Sequence, residues 1–149
     1  LNKCLEGEYI LNINQINLFE KRIQKLAQLS TQYGNVFIIT NQPQISMGKV
    51  SWQKVIEING EIINRCRKLG LNISSFYICP HHNNLGFEGE IKSLKRACFC
   101  RKPLPGLFLE AAHNRNIDLK SSLMIGDSWR DKKAAESLQM KFQNINLFD

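Results

Sequence analysis

The sequence contains no long apolar run and no repeated segment. None of its stretches approaches the roughly 20 consecutive apolar residues that a membrane-spanning helix needs. The first residues, from Leu1 to Glu6, lack the apolar core of a secretory signal, and no low-complexity tract is present. These absences predict a soluble, cytoplasmic protein with no membrane partner, folded as one domain over residues 1–149.

Cysteine is too scarce, and odd in number, for a disulfide framework. The chain has five cysteines. Two of them form the pair Cys98-Phe99-Cys100, and nothing in the sequence points to export. We therefore expect these thiols either to bind a metal or to be buried as free cysteines. Cys4 and Cys66 fit the buried kind.

Acidic residues are fewer than basic ones. The 20 Lys and Arg residues outweigh 13 Asp and Glu residues and give a formal net charge of +7. Such a chain can bind nucleic acids, acidic membranes or small anions. Apart from residues 92–96 and the pair Arg101-Lys102, the basic residues are spread along the chain, and no aromatic platform for base stacking accompanies them. Nucleic acid is therefore disfavoured as a partner.

The spacing of apolar residues alternates between the helical and the strand pattern. Spacings of three and four predict helices, which cover 16–29, 52–69 and 129–138, with another opening at 103–106. Ser51 is a predicted N-cap of the second helix. Short apolar runs predict strands at 36–39, 75–79, 123–125 and 142–148, of which 36–39 is expected to be buried on both faces. This order predicts an α/β fold, a parallel sheet with helices on both faces.

Polar side chains stand at the strand ends of this predicted sheet. Thr40 and Asn41 follow the first strand, Lys102 precedes the third helix, and Asp127 follows the third strand. In an open parallel sheet, the ligand site lies beyond the carboxyl ends of the strands. A hydroxyl and backbone amides can hold phosphoryl oxygens, a lysine can neutralise their charge, and a carboxylate can bind Mg²⁺. We therefore expect a phosphate and magnesium site at this edge.

Each of these residues also has an ordinary structural interpretation. Thr40 or Asn41 alone would be a turn residue at a strand end, and Asp127 alone would be a helix N-cap. Asp131 lies one helical turn after Asp127, where it would either assist the metal or lock the loop. Their occurrence at successive strand ends is what favours a joint site.

A second group of metal-binding residue types brackets the long loop after the second strand. Cys79-Pro80-His81-His82 precedes the loop, and Cys98-Phe99-Cys100 ends it. Zinc prefers four sulfur or nitrogen ligands in a tetrahedron, and a site with four protein ligands is structural. We predict that Zn²⁺ holds the loop 79–100 through Cys79, His81, Cys98 and Cys100. His82 is an alternative to His81, and buried free thiols are the alternative to a metal.

Together these motifs resemble those of the haloacid dehalogenase superfamily of phosphotransferases. Within it they are similar to the branch of D-glycero-D-manno-heptose bisphosphate phosphatases and histidinol-phosphate phosphatases. Residues 38–42 resemble the second motif of the superfamily, 98–106 the third, and 124–127 with Asp131 the fourth. The Cys/His group resembles the zinc-binding loop of this branch. The match covers nearly the whole chain and implies a Rossmann-like fold.

The resemblance implies a Mg²⁺-dependent phosphatase for a small phosphorylated metabolite, namely a heptose bisphosphate, a similar phosphosugar or histidinol phosphate. Thr40 would bind the transferred phosphoryl group, while Asn41 and Arg101 would contact the substrate. Lys102 would balance the phosphoryl charge and orient the nucleophile, and Asp127 would bind Mg²⁺. An aspartate would attack phosphorus, and water would hydrolyse the aspartyl-phosphate with a second aspartate as general acid and base.

The sequence departs from the family pattern at its start and in two loops. The first motif, a strand ending in Asp-x-Asp-Gly-Thr, is absent, and Leu1-Asn2 resembles the residues that follow it. Without the nucleophile and the central strand, we expect the 149 residues to be inactive alone. The alternative is a non-catalytic, zinc-stabilised binding module. Pro43-Gln44 stands where the family usually has small residues, and Ser128 where a lysine is often found.

Overall fold

The computed structural model describes residues 1–2, 8–83, 86 and 88–148. The prediction that Cys4 is a buried thiol lies outside these residues. Helices and strands alternate along the described chain as α1 (Glu20–Ser30), β1 (Phe37–Asn41), α2 (Trp52–Lys68), β2 (Ser75–Cys79), α3 (Gly106–Arg115), β3 (Leu123–Gly126), α4 (Trp129–Ser137) and β4 (Lys141–Asn144). Short 3-10 helices cover Ile13–Gln15, Lys92–Leu94 and Ile145–Phe148. None of the helices in the described part has both the length and the apolar character of a bilayer crossing.

The two long helices share one apolar core. The stripe of α1 buries Ile23 and Leu26, which belong to the same cluster of buried side chains as Ile58 and Ile62 of α2. The predicted cap of α2 is confirmed, since the Ser51 side chain accepts a hydrogen bond from the backbone N–H of Lys54 at 3.1 Å. An apolar stripe and a capped start are therefore enough to account for where α2 begins and what it covers.

The strands form two parallel pairs. β1 pairs with β2 from Phe37 opposite Ser75 to Asn41 opposite Cys79, and β3 pairs with β4. Helix α3 packs against β2, and α4 packs against both β3 and β4. Within the described residues no ladder joins β1 to β3, so the predicted parallel strands are divided between two sheets.

A groove of about 690 Å³ is lined by both β1 and β3. The carbonyl of Val36 accepts from the Ser74 N–H, and the Gln42 N–H donates to the carbonyl of Cys79, each at 2.8 Å. Because backbone groups alternate in direction along a strand, the N–H and C=O groups of the odd-numbered residues of β1 point away from β2.

The expectation that residues 36–39 are buried on both faces is wrong. Every residue of β1 is only half-buried, since in the described part of the chain β2 is the one strand that pairs with it.

The last predicted strand, 142–148, is correct only in its first part. The Asn144 side chain accepts a hydrogen bond from the N–H of Asn146 at 2.9 Å and turns the chain. The following 3-10 helix places Ile145 and Phe148, three positions apart, in the apolar core. A local side-chain cap therefore overrides the apolar run that suggested a strand.

The long loop after β2 packs on the loop after β1. The N–H of Ile91 donates to the carbonyl of Ser46 at 2.8 Å. Gly48 has a φ of 72°, and a Cβ there would collide with the carbonyl of Gly89. Glycine is required at position 48 because the chain both turns left-handed and meets another backbone. The loop predicted to hold zinc is thus joined to the loop beside Thr40.

Candidate functional site

Lys102 lies at the carboxyl end of β1, held by two partners. Its ammonium donates to the carbonyl of Ile39 at 2.7 Å and forms an ion pair with Asp131, with Nζ and Oδ1 2.6 Å apart. The Ile39 carbonyl is one of the β1 groups that point away from β2. Both charged side chains are largely buried, with 12% and 6% of their surface exposed. The ammonium is therefore fixed beside Thr40, the next residue of the strand.

Asn41 positions Lys102 through its side-chain amide. Nδ2 of Asn41 donates to the carbonyl of Lys102 at 3.1 Å, and Oδ1 accepts from the N–H of Lys102 at 3.0 Å. Both ends of the amide are thus engaged with a backbone 61 residues away in sequence. The sequence predicted a substrate contact at Asn41, whereas in this structure its side chain orients the lysine.

Asp131 locks the turn that follows β3. Its Oδ2 accepts from the N–H of Ser128 at 3.2 Å and from the Ser128 hydroxyl at 2.8 Å. The Ser128 hydroxyl in turn accepts from the N–H of Asp131 at 3.3 Å, which completes a capping box for α4. Ser128, not Asp127, is therefore the N-cap. Burial alone would raise the pKa of Asp131, but the charge and hydrogen bond of Lys102 and the bonds from Ser128 lower it, so Asp131 is a carboxylate.

Four of the predicted residues line the same groove. Thr40 and Lys102 lie on the β1 side, and Asp127 and Asp131 lie on the β3 side. Asp127 is exposed, which leaves its carboxylate accessible to a cation. Oxygen ligands of this kind suit Mg²⁺, which keeps several waters when it binds to proteins. The groove thus combines a hydroxyl, an ammonium and an accessible carboxylate at the ends of two parallel strands.

Arg101 does not line this groove. Its guanidinium donates from Nη1 to the carbonyl of His81 at 3.0 Å, so it reaches the Cys/His loop. Arg101 and Lys102 are adjacent in sequence but lie in different environments, one tied to the loop and the other to β1. The structure therefore places the Arg101 side chain on the Cys/His loop and not in the groove.

Cys79, His81, Cys98 and Cys100 converge at the end of β2. Their ligand atoms all lie within 4.8 Å of one another. The sulfur of Cys100 lies 2.8 Å from that of Cys79 and 3.4 Å from that of Cys98, and 3.2 Å from Nδ1 of His81. A tetrahedral zinc site with Zn–S bonds of about 2.3 Å has sulfur atoms roughly 3.8 Å apart. A small outward movement of the thiols would accommodate Zn²⁺, so the donor set fits this ion.

The four residues of this cluster differ in the direction of their pKa shifts. Burial raises the pKa of Cys79 and of Cys100, where neighbouring thiols add to the effect. Burial alone would raise the pKa of Cys98 too, but hydrogen bonds from Cys100 and Cys79 lower it. Burial and the nearby Arg96 lower the pKa of His81, which keeps its imidazole neutral, as a metal ligand must be.

The alternatives to this ligand set have less support in the structure. His82 is buried but stands outside the cluster of four ligand atoms. Cys66 is fully buried in the apolar core, as expected of a free thiol. Among the described residues, the structure therefore groups His81 rather than His82 with the three cysteines of the cluster, and it places Cys66 apart from them.

Two features of this region were not predicted from the sequence. A Cβ at Gly126 would lie 2.5 Å from Cβ of Asp131, so only glycine permits their close approach. Asn59, in the middle of α2, is 2% exposed and pairs with the amide of Gln42. The sequence signal for the second feature was that Asn59, a polar residue, stands in the apolar stripe of α2.

The chain is similar to a family of known sequences. A family model described as HAD-hydrolase-like matches residues 99–143. A D-glycero-beta-D-manno-heptose-1,7-bisphosphate 7-phosphatase from Vibrio cholerae is 33% identical over 129 residues, which are 87% of this chain and 67% of that protein. The enzyme of the same name from Pasteurella multocida is 30% identical over 137 residues, 92% of this chain and 72% of that protein.

A third relative of the same name, from Yersinia pestis, is 28% identical over 127 residues, 85% of this chain and 65% of that protein. The chain thus spans about two thirds of the length of the curated relatives that it matches.

Solved structures share the fold. A D,D-heptose 1,7-bisphosphate phosphatase from B. bronchiseptica, solved with magnesium and phosphate, superposes with a TM-score of 0.76 at 23% identity, over 95% of this chain and 72% of that one. A putative HAD-like phosphatase from Mesorhizobium loti superposes with a TM-score of 0.80 at 24% identity, over 91% and 63% of the two chains. The arrangement of helices and parallel strands is therefore the one these proteins adopt.

Proposed function

Because the chain belongs to the haloacid dehalogenase superfamily, in the branch of heptose bisphosphate phosphatases, we propose that it serves a Mg²⁺-dependent phosphatase of small phosphorylated sugars. The observation that carries this proposal is the meeting of Thr40, Lys102, Asp127 and Asp131 on one groove. The names of the relatives narrow the substrate to a phosphosugar such as a heptose bisphosphate. Zn²⁺ would be held by the Cys/His cluster and would order the loop 79–100.

Each groove residue has a distinct part in this proposal. The Thr40 hydroxyl donates a hydrogen bond to a phosphoryl oxygen, and the Lys102 ammonium neutralises a second one. Asp131 keeps that ammonium in place through its ion pair. When bound at Asp127, Mg²⁺ supplies positive charge beside the phosphoryl oxygens, where negative charge increases during transfer.

We propose that the nucleophile is supplied by a further strand in the groove. The 149 residues contain no Asp-x-Asp pair, and covalent phosphoryl transfer requires a carboxylate in line with phosphorus. The backbone groups of Phe37, Ile39 and Asn41 point away from β2, and among the described residues no strand pairs with that edge of β1. The Ile39 carbonyl there accepts from the Lys102 ammonium, while the backbone N–H groups can pair with a further parallel strand. Leu1 also lines the groove, so a segment joined to Leu1 reaches this position directly. We propose that such a strand delivers the two aspartates beside Thr40 and Lys102.

A designed extension tests this function. Five apolar residues followed by Asp-x-Asp-Gly-Thr are fused before Leu1, and Mg²⁺-dependent release of phosphate from a heptose bisphosphate is measured. We expect turnover by the extended protein and none by the 149-residue chain. The matched control carries Asn in place of the first Asp of the extension, and it should be inactive while still binding phosphate.

The same assay separates the catalytic proposal from a binding module. The absence of Asp-x-Asp favours the second function, in which the zinc-stabilised fold only binds a phosphorylated ligand. An extended protein that folds and binds phosphate with Mg²⁺, yet shows no turnover, would contradict the phosphatase proposal and support the binding module.

A further inference from the structure

The loop after β1 buries an amide side chain whose oxygen has no partner. Gln44 is 5% exposed, and among the described residues its Oε1 accepts no hydrogen bond. A buried polar atom without a partner is costly and uncommon in folded proteins. Such an atom is often explained by a ligand that completes it.

Gln42, two residues earlier, is a satisfied amide in the same loop. Its Nε2 donates to Oδ1 of Asn59 at 3.5 Å, and its Oε1 accepts from Nδ2 of Asn59 at 3.3 Å. Asn59 also donates to the carbonyl of Val55 at 2.8 Å. Helix α2 thus pairs with the side-chain amide of Gln42, whereas Oε1 of Gln44 remains an unused acceptor.

Gln44 lines a small cavity next to the groove. The cavity has a volume of about 190 Å³, and its lining includes Glu8, Tyr9 and Asn41 besides Gln44. Thr40 and Gln42 line both this cavity and the groove, so the two spaces adjoin. A ligand with its phosphoryl group at Thr40 can therefore extend its other end towards Gln44.

The backbone of this loop is held firmly. The N–H of Lys49 donates to the carbonyl of Gln44 at 3.0 Å, and the N–H of Met47 donates to that of Pro43 at 3.0 Å. The residues from 43 to 47 are all buried. The backbone that carries the Gln44 side chain is thus fixed before any ligand arrives, as a selective contact requires.

We propose that Gln44 is a specificity-determining residue that binds a hydroxyl group on the leaving-group side of a phosphorylated sugar or polyol. This inference rests on the proposed function, because it takes Thr40 as the phosphoryl end. A hydroxyl fits because it can donate to Oε1 and accept from the amide nitrogen. Sites built to hydrogen-bond a substrate hydroxyl discriminate strongly against analogues that lack it.

The test compares two probes on the 149-residue chain and its Gln44→Met variant, whose side chain has a similar shape and no amide. Calorimetry with Mg²⁺ measures the binding of mannose 6-phosphate and of inorganic phosphate. We expect the variant to bind mannose 6-phosphate about tenfold more weakly, as befits one lost hydrogen bond. Its affinity for inorganic phosphate should stay within about twofold.

Stability supplies a second measurement. Gln44→Met removes an unpartnered buried atom, so its urea midpoint should equal or exceed that of the parent chain. The matched variant Gln42→Met removes the side-chain amide that pairs with Asn59, so the urea midpoint of this variant should fall. If Gln44→Met instead lowers the midpoint as Gln42→Met does, the amide is a structural group and the proposal is wrong.

The binding results distinguish the remaining outcomes. Unchanged affinity for mannose 6-phosphate, or an equal loss for both probes, overturns the role of Gln44 while the phosphatase proposal stands. If the parent chain binds neither probe, this inference is overturned, whereas the proposed function is judged separately by the turnover of the extended protein.

Discussion

Gly126 shows how one absent side chain determines the geometry of the candidate site. Asp131 is 4% exposed and lies so close to Gly126 that an added Cβ would be 2.6 Å from its Oδ2. The same carboxylate caps α4 through Ser128 and pairs with Lys102. Both contacts therefore depend on a hydrogen atom at position 126.

We expect Gly126→Ala to destabilise the fold and to weaken phosphate binding. Displacing Asp131 should lower the free energy of unfolding by about 1–3 kcal/mol, as overpacking does. The matched control is Gly60→Ala in α2, where an added Cβ meets nothing within 4 Å. There alanine should stabilise the helix by about 0.5–1 kcal/mol. Urea unfolding measures both, and a Gly126→Ala midpoint as high as that of Gly60→Ala would refute the proposed role.

Cys66 should make the fold less stable in alkaline solution. Its side chain is fully buried, and burial raises the pKa of this thiol above its ordinary value of 9.0. The neutral thiol is retained in the folded state, whereas the unfolded thiol ionises as the pH rises through 9.0. The free energy of unfolding should therefore fall above that pH.

The measurement compares urea midpoints at about pH 8 and about pH 10 for the chain and for Cys66→Ala. Alanine leaves a cavity and lowers the midpoint at both values, but the further loss between them should be smaller. A thiol reagent should reach Cys66 only after unfolding. An identical loss in both proteins would show that other groups cause the alkaline effect.

Single side chains also show what a sequence can and cannot indicate about the site. Thr40, Lys102 and Asp127 were found because strand ends and helix starts are visible as local patterns. The orienting role of Asn41 was not found, since the partner of its side chain is the backbone of Lys102. The unpaired Oε1 of Gln44 was not found either, because it depends on which side-chain amides pair with α2. Such roles are decided by contacts distant in sequence.

The loop between β2 and α3 depends on its Cys/His cluster more than on secondary structure. Within its described residues the regular element is one short 3-10 helix, Lys92–Leu94. A loop of this length with little structure of its own needs another constraint. We propose that Zn²⁺ held by the four converging ligand atoms provides it.

Removing zinc should therefore loosen this loop and lower the melting temperature. A loss of about 3 kcal/mol would lower the midpoint by roughly 6–12 °C in a chain of this size. Chelation should also expose the thiols of Cys79, Cys98 and Cys100 to a thiol reagent, while Cys66 stays protected as the internal control. If the purified chain contains no zinc, or if chelation changes neither quantity, the metal is not structural.

Helices and strands were more predictable than their surroundings. The strand at 75–79 and the start of α2 at Trp52 follow from an apolar run and a capping serine. The second half of 142–148 did not form a strand, because the side chain of Asn144 turns the chain. Periodicity indicates which face is apolar, but a single cap can change the element that presents it.

At the level of the whole molecule, the dominant feature is the separation of the two sheets. Both ladders are parallel, and both β1 and β3 contribute to the groove between them. The sequence correctly predicted the order of strands but not the half-buried state of β1. The burial of a strand depends on whether a second strand lies beside it. The sequence of β1 itself does not indicate whether such a neighbour is present.

The fused extension should change hydrogen exchange on one edge of β1. In the 149-residue chain the amides of Ile38 and Thr40 face β2, whereas those of Phe37, Ile39 and Asn41 face away from it. A strand in the groove should slow the exchange of the second set, while the first set serves as the control. NMR-detected exchange measures each amide. An active extended protein in which Phe37, Ile39 and Asn41 remain unprotected would show that the strand binds elsewhere.

The hydrogen bond from Ile91 to Ser46 has a consequence for the two proposed ligands, Zn²⁺ and a sugar phosphate. It connects the metal loop to the loop that carries Gln44. If ordering one loop helps to order the other, the two binding equilibria are linked, and the coupling must be reciprocal. Zinc would then strengthen sugar-phosphate binding by the same factor by which a sugar phosphate strengthens zinc binding. A zinc-starved cell would therefore also lose affinity for the sugar phosphate.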